Sequence, residues 1–336
     1  MMESQSQTAS TAPRHRRRGI ISLLLIGSYI VLMLAFHKKL RPDQIFLILA
    51  FVALLLWGKT GGRRFIIDWA PFTFFLIAYD GMRGLADYLA PHIQIRLPFL
   101  MEQWCFGWLT GGQPIPFLLQ WWRQSLGSSW ISQLCSVVSG LMYSIHFVAP
   151  FLFAWIVWYV DRDRAGFYRF AYSLTLLNVL ALITFYLFPA APPWYVWKYH
   201  FATPNLAAFN HGDPGGLIHL DALLRVPIFS SIYNDLNPNA FAAVPSLHGS
   251  YPLMIVAHAW SRWKHATAHL AMIIYVATTW FAACYLNHHY VIDLVIGATY
   301  VFMAITLYRR VLGPHCVERW IREPATIPTP SPASSC

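Results

Sequence analysis

The sequence predicts an all-α fold, a polytopic membrane helix bundle of about eight transmembrane helices, and three observations predict it. Only 11% of the 336 residues are charged and 57% are hydrophobic, whereas soluble domains carry ~25% charged residues. Mean hydropathy is +0.46. The apolar residues also gather into runs bounded by basic, Gly-rich or Pro-rich turns. Runs of ~20 residues cross ~30 Å of hydrocarbon at ~1.5 Å per residue.

In chain order, residues 1–19 form a disordered basic N-terminus, rich in Ser, Thr and Gln before Arg14-His15-Arg16-Arg17-Arg18. The run 20–36 resembles a signal peptide, but His37-Lys38-Lys39 follows and no small-residue cleavage site does, so an uncleaved span is expected. Spans at 45–57 and 65–79 come next. The Trp- and Gly-rich stretch 80–130 suits a segment lying in the membrane interface. Within it, Arg83 stands three residues after Asp80 and four before Asp87, spacing for a helical ion pair. Fourth and fifth spans fall within 134–160 and 170–188. Pro189 ends the fifth, and a loop 189–245, long enough to be functional, leads to the last three runs at 251–260, 268–286 and 290–308. Residues 20–64 are thus two accessory helices, 65–312 the core, and 323–336 a disordered tail.

The charge of +10 is compatible with nucleic acid or anionic lipid, and the apolar runs decide for a bilayer and against nucleic acid. With eight crossings and the N-terminus inside, Lys and Arg favour the inner segments about two to one. Both termini are therefore expected in the cytoplasm and the active face on the extracytoplasmic or lumenal side. The five cysteines form no Cys-x-x-Cys pair, which argues against a zinc knuckle or disulfide framework.

The chemistry is concentrated in residues 237–293. Ser246 is placed to cap a helix, and His248 follows it. His289 lies 41 residues on, one crossing and one return, so both imidazoles are expected at the same membrane face. Asp293, four residues beyond His289, is one helical turn away. A carboxylate on one ring nitrogen frees the other as nucleophile or base. A histidine at a helix start can meet an anion among free N–H groups and protonate a leaving oxygen. Together these parts describe phosphoryl transfer through a phosphohistidine. The same two imidazoles and carboxylate form a ligand set for zinc or iron. Asp293 is better placed as the partner of His289, and no other carboxylate is expected near the motifs, so neither metal nor other cofactor is expected.

Pro245-Ser246-Leu247-His248 and His289-Tyr290-Val291-Ile292-Asp293 resemble the second and third motifs of the type-2 phosphatidic acid phosphatase (PAP2) superfamily. With FPAAPPWY (188–195), DPGGL (213–217) and YLNHHYVIDL (285–294), the chain looks like its fungal aureobasidin-resistance branch, inositol phosphorylceramide synthase, and the bacterial relatives. The resemblance implies a six-helix core after the two accessory helices, with no metal. It implies His289 as nucleophile, Asp293 as its orienting carboxylate and His248 as the acid.

The superfamily's first motif, Lys followed six residues later by Arg-Pro, is absent, and Ala282-Ala283 stand where a Ser-Arg pair is expected. Losing two cations should weaken a dianionic monoester more than a monoanionic diester. The expected reaction is therefore transfer of a head-group phosphate, such as inositol phosphate from phosphatidylinositol, to a lipid hydroxyl such as that of ceramide or diacylglycerol. Candidate substrate-binding residues are Ser246, Arg83, Lys198, Arg225, His211 and Tyr195. Two rivals stand beside this reading: a lipid phosphate phosphatase acting on phosphatidate or an isoprenyl diphosphate, and a non-catalytic transporter or scaffold.

Overall fold

The structure is a computed structural model that describes residues 42–202, 214, 217–227, 229–236 and 239–317. The expected first span at 20–36 and both tails lie outside the described residues. Among the described residues the molecule is helical, and four helical stretches are long and apolar enough to cross a membrane: Trp130–Val160, Arg164–Leu187, Ala266–Tyr285 and Val291–Gly313. The protein is an integral membrane protein.

Helix α1 spans Pro42–Gly81, so the expected second and third spans are two parts of one helical stretch. The break between them is Gly58, whose φ of 71° lies in the left-handed region. Helices α2 (Arg96–Thr110) and α3 (Ile115–Leu126) follow in the Trp-rich segment. Trp104 and Trp108 project outward from α2, as residues at a membrane surface do.

Helix α4 (Trp130–Trp155, extended in wider turns to Val160) starts at Ser129, whose hydroxyl accepts from the Ser132 N–H. Asp163 caps α5 (Arg164–Leu187) by accepting from the Gly166 N–H at 2.8 Å. Arg262 bonds Asp161 at 2.9 Å and Asp163 at 2.6 Å, tying this turn to a later one. Close by, the fully buried carboxylate of Asp68 on α1 accepts from the Trp158 indole at 2.8 Å and the Tyr168 hydroxyl. Arg164 completes that cluster at 3.4 Å. A buried charge is tolerated when it is paired and hydrogen-bonded, and here it joins α1, α4 and α5.

At the other end of the bundle, Pro189 stops α5, and the chain turns through two short bridges. Ala190 N–H donates to the Phe241 carbonyl at 2.7 Å, and Gln94 exchanges bonds with Pro189 and Ala191 at 2.8 and 2.9 Å. Among its described residues the expected loop 189–245 contains three short helices: α6 (Pro193–Tyr199), α7 (Leu217–Leu224) and α8 (Phe229–Leu236). Asp221 starts α8 by accepting from the N–H groups of Phe229 and Ser230 at 2.8 and 2.9 Å.

Helices α9 (Leu247–Ala259), α10 (Ala266–Tyr285) and α11 (Val291–Leu307) complete the bundle. Helix α9 packs against α4, α5, α10 and α11. The α9–α11 approach depends on Gly297, where a Cβ would lie 2.6 Å from the Ser246 carbonyl oxygen.

Candidate active site

Two chain reversals bring the motif residues together. Ser246, fully buried, caps α9 by accepting from the Gly249 N–H at 3.2 Å. Its own N–H donates to the Asp293 carbonyl at 3.1 Å, fastening the start of α9 to the start of α11. His248 therefore emerges one residue inside α9, beside the turn that carries His289.

His289 is not helical: α11 begins at Val291, and Tyr290 is its N-cap. Helical spacing therefore does not create the expected His289–Asp293 pair. The Asp293 carboxylate curls back to accept from the Tyr290 N–H at 2.8 Å, which leaves its Oδ2 3.6 Å from His289 Nδ1. That is ion-pair range but too long for a hydrogen bond. The nearer partner of Nδ1 is the Ala243 carbonyl oxygen at 3.1 Å. A carbonyl can only accept, so the His289 proton sits on Nδ1 and Nε2 carries the lone pair. His248 Nδ1 lies 2.9 Å from that nitrogen and donates to it. The two rings are centred 4.9 Å apart.

Both rings face a cavity of about 130 Å³, whose wall also includes Tyr79, Trp194, Tyr233 and Asn239. Leu217 on α7 and Phe229 on α8 contribute as well, so the short helices of the loop help enclose it. The Trp194 N–H holds the Asn287 carbonyl at 2.8 Å, joining the Pro-rich segment to the His289 turn. Two further histidines line the same space. His288 meets the Tyr143 and Tyr233 rings at 4.8 Å, and His146 sits 3.8 Å from the His248 ring. Tyr143 stacks on His248 at 3.9 Å and 14°.

Glu102, from the distant helix α2, is fully buried, and its Oε2 accepts from the Ile292 N–H at 3.0 Å. It thus occupies the N-terminus of α11 beside Asp293. Burial lifts its carboxyl to about 7, with Asp293 pushing the same way and the N–H groups of Ile292 and Val291 opposing. The expectation that no second carboxylate lies near the motifs is corrected here, because the fold delivers one from 190 residues upstream.

The expected substrate-binding residues fare differently. Ser246 does not line the cavity; its hydroxyl caps α9 and its N–H ties α9 to α11. Tyr195 is buried and donates its hydroxyl to the Ala202 carbonyl at 3.0 Å, away from the cavity. Lys198 stands over the Tyr199 ring at 5.3 Å, and Arg225 is exposed after α7; neither lines the cavity. His211 and the Arg83 side chain lie outside the described residues. His146 had a signal in the sequence, as an ionisable group in the apolar run 134–160. His288 adjoins His289, whereas Glu102 carried no signal at all.

Fold and site define a class: a polytopic membrane helix bundle with a histidine-lined cavity at one end. The chain belongs to the PAP2 superfamily, whose family model matches residues 96–307. Phosphoinositol dihydroceramide synthase of Bacteroides thetaiotaomicron is 30% identical over 84% of this chain and 88% of its own length. Inositol phosphorylceramide synthase of Candida albicans is 32% identical over 48% of this chain and 33% of its own. The catalytic subunit of that enzyme from Saccharomyces cerevisiae is 32% identical over 51% and 42%. The chain thus spans less than half the length of these two fungal relatives. No solved structure matches.

Proposed function

We propose that the protein moves phosphoinositol from phosphatidylinositol to the hydroxyl of a ceramide-like lipid, through a phosphohistidine on His289. The observation that carries this reading is the direct bond between His248 and His289 at one cavity, with the proton positions that it requires. The names of the relatives supply the head group and the acceptor class.

In the first half-reaction His289 Nε2 attacks phosphorus. The bond from phosphorus to the diacylglycerol oxygen breaks, and His248, in its protonated form, gives that oxygen its Nδ1 proton. Asp293 and the Ala243 carbonyl stabilise the charge that develops on the His289 ring. In the second half-reaction the acceptor hydroxyl passes its proton to neutral His248. Its oxygen attacks phosphorus, and the N–P bond breaks. In-line displacement puts phosphorus between nucleophile and leaving oxygen, so the two rings must part as substrate enters. His289 is held through Nδ1, whereas His248 is held by stacking, so His248 is the ring that yields.

The cavity faces the extracytoplasmic or lumenal side in this reading, which follows from the distribution of Lys and Arg. Purified protein given phosphatidylinositol labelled in its inositol, with ceramide, should form labelled phosphoinositol ceramide and release diacylglycerol. Phosphate release from phosphatidate, with phosphatidylinositol inert, would contradict it.

A further inference from the structure

We infer that His146 is the binding group for an alcohol hydroxyl, that of the acceptor lipid, which its Nε2 receives beside the His248 ring. The inference rests on the transfer reaction proposed above and assigns a subsite within it. His146 Nδ1 is bonded to the Tyr143 carbonyl of its own helix α4. That oxygen can only accept, so the ring proton is on Nδ1 and Nε2 is left with its lone pair. No described residue donates to Nε2, and the ring lines the cavity.

An exposed lone pair repels phosphate oxygens, which are themselves acceptors, and attracts a hydroxyl. No Asp, Glu, Lys or Arg is among the described residues lining the cavity. Two carboxyl groups stand near the reacting rings, Asp293 behind His289 and Glu102 at the start of α11. Neither touches His146, so nothing on the cavity wall favours a second imidazolium beside His248. The ring centroids of His146 and His248 are 3.8 Å apart and tilted by 38°. A hydroxyl resting on His146 Nε2 therefore lies beside His248, and its one O–H swings from His146 to the free Nδ1 of His248 before the proton is transferred. Its oxygen is thereby presented to phosphorus on His289.

The test separates the half-reactions. His146→Asn keeps an amide N–H near Nδ1 for the Tyr143 carbonyl but removes the acceptor at Nε2; His146→Phe keeps a ring and removes both. Full-length protein is mixed with labelled phosphatidylinositol, first without acceptor and then with ceramide. The burst of diacylglycerol in the absence of acceptor should stay within about twofold of wild type in His146→Asn. Transfer to ceramide should fall about 10- to 100-fold, with a raised KM for ceramide. His146→Phe should behave alike, and if it fails to fold the asparagine variant decides. A burst that falls in step with transfer would overturn the inference, since the hydroxyl bound would then be one on the donor's inositol or the role structural. Wild-type transfer in His146→Asn would overturn it too, while leaving the transfer reaction intact. A wild-type protein without burst or transfer would remove both.

Discussion

At the scale of single residues, the account turns on where two protons sit. In the proposed mechanism His289→Ala removes the nucleophile and His248→Ala the proton donor, so each should abolish transfer in a labelled-lipid assay of folded protein. Asp293→Asn should be milder than the ~10⁴-fold loss known for an orienting carboxylate. The Ala243 carbonyl also fixes the His289 tautomer, so about 10²- to 10³-fold is expected in kcat; full activity would remove Asp293 from the mechanism. Glu102 gives a prediction in pH. Its folded-state carboxyl titrates near 7, above its ordinary value of 4.5. The native state therefore holds the proton where the unfolded chain has lost it, and stability falls as pH rises from 4.5 to 7. Glu102→Gln should flatten the melting temperature across that window, and an unchanged slope would contradict the assignment. The meeting of His248 and His289 was legible because one crossing and one return carries both to one face, whereas Asp293 comes near His289 through a helix cap rather than through helical spacing. Glu102 was not, because no local pattern links a residue of an interfacial helix to a helix start far along the chain.

Helices α9 and α11 must touch for the two imidazoles to meet. A methyl group at Gly297 would lie 2.6 Å from both the Ser246 carbonyl oxygen and the Ser250 hydroxyl. Gly297→Ala should therefore wedge the helices apart, costing about 1–3 kcal/mol and most of the activity. Thermal unfolding and transfer rate measured on the same preparation check this, and normal values for both would show that the approach is slack. The hydrophobic runs revealed the long helices, since a crossing is written as continuous apolar sequence. They did not reveal α6, α7 and α8, which have seven or eight residues each. Two turns are too few to establish a period. The boundary at His289 was missed for another reason: the backbone N–H that Asp293 binds belongs to Tyr290, and capping replaces helix exactly where spacing suggested a helical pair.

Across the whole molecule, the bundle has a reactive end and a braced end. The reactive end is walled by aromatic rings and imidazoles, whereas the braced end is held by Asp68, Asp161 and Asp163 with their arginines. Helix α11, 17 residues long, separates them by about 25 Å. Disturbing one end should leave the other intact. Asp68→Ala strips the buried partner from Trp158, Tyr168 and Arg164, and should cost about 3–5 kcal/mol of stability. The kcat of the molecules that remain folded should be unchanged, and a parallel loss of kcat would show that the ends are coupled. Membrane class was plain from composition. The brace was not, because Asp68 and Trp158 stand in otherwise apolar runs and Arg164 in a charged turn, and only the fold joins them.

The most direct measurement is detergent quenching, at mildly alkaline pH, of the protein in the presence of phosphatidylinositol labelled in its inositol phosphate, followed by mapping of the label. The account predicts an acid-labile label on His289 that is absent from His289→Ala and discharged when ceramide is added. Transfer to ceramide by a wild-type protein that never carries label on His289 would contradict it.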